Sequence, residues 1–157
     1  MNETIASTRT ALLARAEALR ESEPDLSVFI EAAVAATDGD DLSATTPEAL
    51  EARLRASHGL IGTEPPRKSL VHVTAAVGDG PMVVDIVSPD MPFIVDTALA
   101  AARAAGGSVR LLAHPVVFLS PGGDLAAKPE PGHLPVSVLH MEIDPMGETE
   151  TLKNELD

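Results

Sequence analysis

The sequence predicts an α+β chain, with N-terminal helices followed by a ferredoxin-like antiparallel four-stranded sheet that carries helices on one face. Three observations predict it. Apolar residues recur at helical spacing through the first sixty residues. After a proline-rich linker the period changes to strand-like alternation. From residue 81 the elements then run β-α-β-β-α, a ferredoxin-like unit without its last strand.

Helical residues come first. Ile5, Leu12, Leu13, Ala16 and Leu19 share one face. Pro24-Asp25 starts a second helix, with Asp25 as its expected N-cap, and Leu26, Phe29, Ile30, Ala33 and Val34 follow the i, i+3, i+4 pattern. The acidic stretch Thr37 to Asp41 reads as a loop. Thr46-Pro47-Glu48 is a helix start, with a cap, a proline in the first turn and an acid at the positive dipole end. Residues 1–61 are therefore read as a helical extension, and Gly62 to Lys68 as a linker.

Residues 69–157 are read as the sheet domain, ending inside its second helix. Strand 69–77 pairs through the Gly78-Asp79-Gly80 turn with strand 81–88, in which Met82, Val84 and Ile86 oppose Asp85. The stretch SPDMPFIVDTALAAARAAGG, Ser88 to Gly107, leads from strand to helix. Asp90 is placed to accept from the N–H of Phe93, Val95, Ala98, Leu99 and Ala102 form a buried stripe, and Gly106-Gly107 ends the helix. Pro115 makes strand 108–119 an edge strand or a bulged one. In strand 134–144, Leu139, Met141 and Ile143 alternate with Val138, His140 and Glu142. The predicted spatial order is 69–77, 81–88, 134–144, 108–119, antiparallel throughout, with strand 69–77 on the edge that the missing strand would fill.

Composition narrows the function. A formal net charge of -13 repels phosphate backbones and anionic membranes. The absence of cysteine excludes thiol chemistry and fits the cytoplasm. No run approaches the roughly 18 apolar residues of a membrane span. No Gly-rich dinucleotide turn joins a strand to a helix, and no nucleophile elbow is present, so neither a catalytic residue nor a cofactor contact is assigned. His140 and Glu142 share a strand face at a spacing that suits metal ligation, but neither they nor His114 and His133 come with a third ligand at a telling spacing, so no metal is assigned.

Several joined motifs resemble the N-terminal region of the large bacterial NAD-specific glutamate dehydrogenases. These are DMPFIVDTAL at Asp90 to Leu99, LLAHPVVFL at Leu111 to Leu119, LHMEID at Leu139 to Asp144 and TPEALEARLRASHGL at Thr46 to Leu60. The resemblance covers about residues 40 to 157. It implies an ACT-like domain, a ferredoxin-like class used to bind amino acids and regulate metabolic enzymes. The parent enzyme would oxidatively deaminate glutamate to 2-oxoglutarate with NAD, in parts of the chain not represented here. The implied partners are the rest of that chain, further copies of the parent and an amino-acid effector; a purely structural assembly role is the alternative. The candidate effector contacts are Asp90, Met91, Phe93 and Asp96, whose acids favour an ammonium group, with Arg110 as the opposite charge. Asp90 is better accounted for as a helix cap, because its spacing to Phe93 explains it fully. Pro89 and Pro92 withdraw two N–H donors from a junction where ligand-binding ACT domains often carry glycine.

Overall fold

The structure, a computed structural model, describes residues 2–144 apart from Met91 and Phe93, with side chains from Thr8 onward. The expected helix from Glu148 and the candidate contacts Met91 and Phe93 lie outside the described residues. Four helices come first: α1 (Asn2–Leu19), α2 (Pro24–Ala35), α3 (Gly39–Leu42) and α4 (Pro47–His58). The strands β1 (Leu70–Thr74) and β2 (Met82–Pro89) follow, then α5 (Ile94–Ala104) and the strands β3 (Val109–Ala113), β4 (Val116–Leu119), β5 (Leu125–Ala126) and β6 (Leu134–Ile143).

The sheet is antiparallel throughout, in the order β1-β2-β6-β4-β5, with β3 also paired to β6. This is the predicted order, with two refinements. The strand expected over 108–119 is divided at His114-Pro115. There Pro115 has no N–H for the ladder, and its carbonyl instead accepts from Val138 N at 3.0 Å. The two-residue β5 then covers the outer side of β4. β1 is shorter than expected, because the chain leaves the ladder after Thr74 and turns through Gly78 at φ 59°.

Strand alternation sends side chains to two faces, and both are covered. On one face Met82, Val84, Ile86, Leu139, Met141 and Ile143 pack against Ile94, Ala98 and Ala102 of α5. The helix closes in a Schellman turn, with Gly107 N donating to Ala102 O at 2.8 Å and Gly106 to Arg103 O, and Gly106 holds the required φ of 83°. The N-terminal helices cover the opposite face. Leu12, Ala16, Phe29, Ile30, Leu50 and Leu54 form one core with Val87, Leu111, Ala113, Val117, Val136 and Val138.

Two local expectations change. Asp25 does not cap α2, since Glu23 occupies that position without a side-chain bond and Asp25 Oδ1 accepts from Leu125 N at 3.0 Å. The acidic stretch is not only a loop. Asp38 caps the short α3 by accepting from Asp40 N, and Asp41 accepts from Leu112 N at 3.2 Å, tying this turn to β3. Thr46 caps α4 as read, accepting from Ala49 N at 3.2 Å.

Candidate functional site

β2 and β6 are central neighbours, and their register sets Asp85 directly opposite His140 and Val83 opposite Glu142. Alternation turns Asp85, His140 and Glu142 toward the helical layer, where α4 supplies Arg53 and Ser57 one turn apart. His140 is the centre of the cluster. Its Nδ1 lies 2.7 Å from Asp85 Oδ1 and its Nε2 lies 2.7 Å from Glu142 Oε2. Ser57 Oγ donates to Asp85 and sits 2.9 Å from His140 Nδ1. Arg53 Nε donates to Glu142 Oε2 at 2.9 Å and its NH2 donates to Thr45 Oγ1.

The electrostatics follow from this geometry. An imidazolium donates one N–H to each carboxylate, so the proton is held and the His140 pKa rises to about 9 although burial opposes it. His140 and Arg53 hold the Glu142 carboxyl below its ordinary range against the same burial cost. Two cations and two anions leave the cluster neutral. Ser57, His140 and Glu142 are fully buried, and Asp85 is nearly so. Glu142 Oε1 is buried without a hydrogen-bond partner among the described residues.

Ser, His and Asp meet here, but not as a nucleophilic triad. In a triad the two ring nitrogens divide their work, one toward serine and the other toward aspartate. Here Ser57 and Asp85 both address Nδ1, Nε2 is spent on Glu142, and none of the hydroxyl is open to solvent. The protonated ring also has no lone pair for a metal. The other two histidines weighed as ligands, His114 and His133, have their own partners. His114 Nε2 lies 2.6 Å from Ser137 Oγ at the break between β3 and β4, and His133 Nε2 lies 3.4 Å from Glu130.

The strand-to-helix junction is the second candidate. A cavity of about 150 Å³ lies between β1, β2 and the start of α5, lined by Ser69, Val71, Ile86, Pro92, Ile94 and Thr97 among others. That is room for a ligand of about six non-hydrogen atoms, the size of benzene. Asp90 and Asp96 are exposed on the same strand-to-helix stretch and are not among the residues that line the cavity. Arg110 does not join them. It follows Val109, which is level with Ile143 and Met82 at one end of the sheet, whereas Asp90 follows Pro89 at the other. Arg110 instead pairs with Asp144, Nε to Oδ1 at 2.8 Å.

The model for the family described as glutamate dehydrogenase, ACT1 domain, matches residues 29–156. The chain belongs to that family. The match runs from α2 through β6, so every member of the buried cluster of this ACT1 domain lies inside it. No curated protein and no solved structure matches the chain. Among the described residues of the ACT1 domain, no helix is long and apolar enough to cross a membrane.

Sequence reasoning placed His140 and Glu142 on one face of a strand and Asp85 opposite the apolar residues of the neighbouring strand, without joining the three, and missed Ser57 and Arg53. The usable signal was the predicted order itself. It makes the strands of Asp85 and His140 central neighbours, where a polar face needs either water or a charged cover.

Proposed function

We propose that this ACT1 domain is a non-catalytic regulatory domain of a large NAD-dependent glutamate dehydrogenase of bacterial type, acting in the cytoplasm. Its role is to bias the distant active site through binding at the strand-to-helix junction. The observation that carries this reading is the closure of the reactive-looking cluster. The histidine with the strongest partners has no exposed atom to offer a substrate, so the chain's charged chemistry serves the joint between its layers. NAD and the glutamate-oxidising residues belong to the rest of the parent chain.

The effector is a small amino acid. The cavity size suits it, and the exposed Asp90 and Asp96 of the same strand-to-helix stretch favour its ammonium group. Coupling requires that the effector bind one state of the domain better than another. Scanning calorimetry with each common amino acid tests this. A ligand at ~100 times its Kd adds roughly 2.7 kcal/mol of stability. The expected result is a shift for small amino acids that is lost in Asp90→Ala; no shift for any amino acid would end the sensing reading. The chain alone is expected to form no NADH from glutamate and NAD, and turnover in a clean preparation would end the non-catalytic one.

An assembly role is the second reading. It is favoured by one observation, the unpaired outer side of β1 among the described residues.

A further inference from the structure

One cleft is basic in a chain that carries 24 Asp and Glu against 11 Lys and Arg. It lies between the α3–α4 connection, α4, the turn into β2 and the start of β3. That is the Met82 and Val109 end of the sheet, away from the strand-to-helix junction. Its volume is about 490 Å³, within the range of small-molecule sites. The polar side chains of its lining are Ser43, Thr45, Thr46, Arg53 and Arg110, and no carboxylate is among them.

Both arginines are held in place before any ligand arrives. Arg53 donates from Nε to Glu142 Oε2 at 2.9 Å and from Nη2 to Thr45 Oγ1 at 2.9 Å. Arg110 donates to Asp144 Oδ1 from Nε at 2.8 Å and also from Nη2. A guanidinium carries five N–H donors in a rigid fork. The two on Nη1 of each arginine have no partner among the described residues. The Arg53 and Arg110 side chains are 24% and 28% exposed, so solute reaches them, while Glu142 is fully buried. The hydroxyls differ in what they have left to give. Ser43 and Thr45 donate to Asp40 O and Thr46 O, whereas Thr46 Oγ accepts from Ala49 N and keeps its proton. Donors fixed in advance lose little freedom on binding, and the guanidinium fork matches carboxylate and phosphate oxygens.

We propose that this cleft is a binding site for a small oxyanion, the carboxylate or phosphate group of a metabolite. Arg53 and Arg110 hold it through Nη1, and the Thr46 hydroxyl donates a further bond. Arg110, which the sheet keeps away from Asp90, thereby has a ligand of its own. Arg53 serves two partners, the oxyanion on its cleft side and Glu142 behind it, so the bound anion touches the joint between α4 and the sheet. The site is separate from the strand-to-helix junction and does not depend on the amino-acid reading of it.

Titration of the 157-residue chain with inorganic phosphate and, separately, with succinate tests the proposal, at an ionic strength fixed with chloride and followed by NMR. The expected result is saturable movement of the Ala44, Ala49 and Gly80 amides and the Arg110 Nε–H with at least one of the two anions. Phosphate alone identifies a phosphorylated ligand, succinate alone a carboxylate, and both together a site that reads the oxyanion itself. Arg110→Gln weakens binding about tenfold, as expected for one lost charge-assisted hydrogen bond. Its present partner Asp144 is half exposed, so the fold survives, which circular dichroism checks. Arg53→Lys, which keeps a cation beside Glu142 but removes the fork, weakens binding too. Arg67→Gln, which removes the same charge from the exposed linker, leaves it unchanged. No saturable movement with either anion overturns the proposal. So does binding that survives Arg110→Gln, or that Arg67→Gln weakens equally. Thermal shifts caused by amino acids at the junction persist in Arg110→Gln, so the two readings fail separately.

Discussion

The two faces of this sheet are built from the same strands by opposite means. Toward α5, Leu139, Met141 and Ile143 of β6 meet Ala98 and Ala102 with no charge in the layer. Toward the N-terminal helices, the residues between them, His140 and Glu142, meet Arg53 and Ser57 in a dry ionic cluster. An apolar interface is non-directional, and α5 can shift on it at small cost. The ionic interface is directional, since each hydrogen bond has one good geometry and each unpaired charge is costly. The comparison teaches where the domain is held in register and where it can give. α4 is keyed to β2 and β6, while α5, beside the candidate effector cavity, rests on a surface that tolerates sliding.

The largest effect expected is on the ionic side. His140→Ala leaves Asp85 and Glu142 buried and facing each other, and breaking such a cluster costs about 3–5 kcal/mol. Urea unfolding followed by far-UV circular dichroism measures it. On the apolar side, Met141→Ala costs about 2–5 kcal/mol through lost transfer energy and a cavity, and it leaves the pH profile of stability unchanged.

That profile sharpens the comparison further. The raised His140 contributes stability that is complete below its ordinary value of 6.5 and is lost as pH rises through about 9. The lowered Glu142 contributes stability that is present above its ordinary value of 4.5 and is lost as pH falls through its lowered value. His58 and His114, both depressed by burial, withdraw stability as pH falls below 6.5. Thermal midpoints should therefore peak near pH 6.5 and decline toward pH 9. Replacing Asp85, His140, Glu142 and Arg53 together by Leu, Met, Leu and Leu, so that no charge is left without its partner, should remove that alkaline decline while changing stability little or raising it by about 1–4 kcal/mol. A decline that survives the fourfold replacement would show that the cluster is not its cause. The smallest effect is at the end of α4, where Thr46→Ala removes one cap bond and costs about 1 kcal/mol in the same unfolding assay.

Much of the fold was legible because its signals are local. Alternation marked β2 and β6, the Thr46-Pro47 start marked α4, and Gly106-Gly107 marked the end of α5. Strand order followed from connection rules. What was not legible depends on partners distant in sequence. His140 and Glu142 read as one strand face with the spacing of metal ligands and no third ligand; the helical layer that covers them leaves no trace in their own neighbourhood. Asp25 has the form of a cap, and only the fold reveals that an amide one hundred residues away takes its carboxylate. Of the candidate effector contacts, Asp90 and Asp96 are exposed at the strand-to-helix junction, while Arg110 lies at the other end of a sheet whose length the sequence did not convey.

The bond from Arg53 to Glu142 spans 89 residues of chain. A ribosome adding 5–20 residues per second makes the arginine roughly 4–18 s before its acceptor. During that interval the helical layer has emerged without the sheet face that completes it, and its apolar side is open. Non-local closure of this kind slows folding and exposes the nascent chain to wrong contacts. β6, the last of the described strands, is thus the one that ends the helices' vulnerability, and truncation before β6 removes the partner for which the first half of the chain is built.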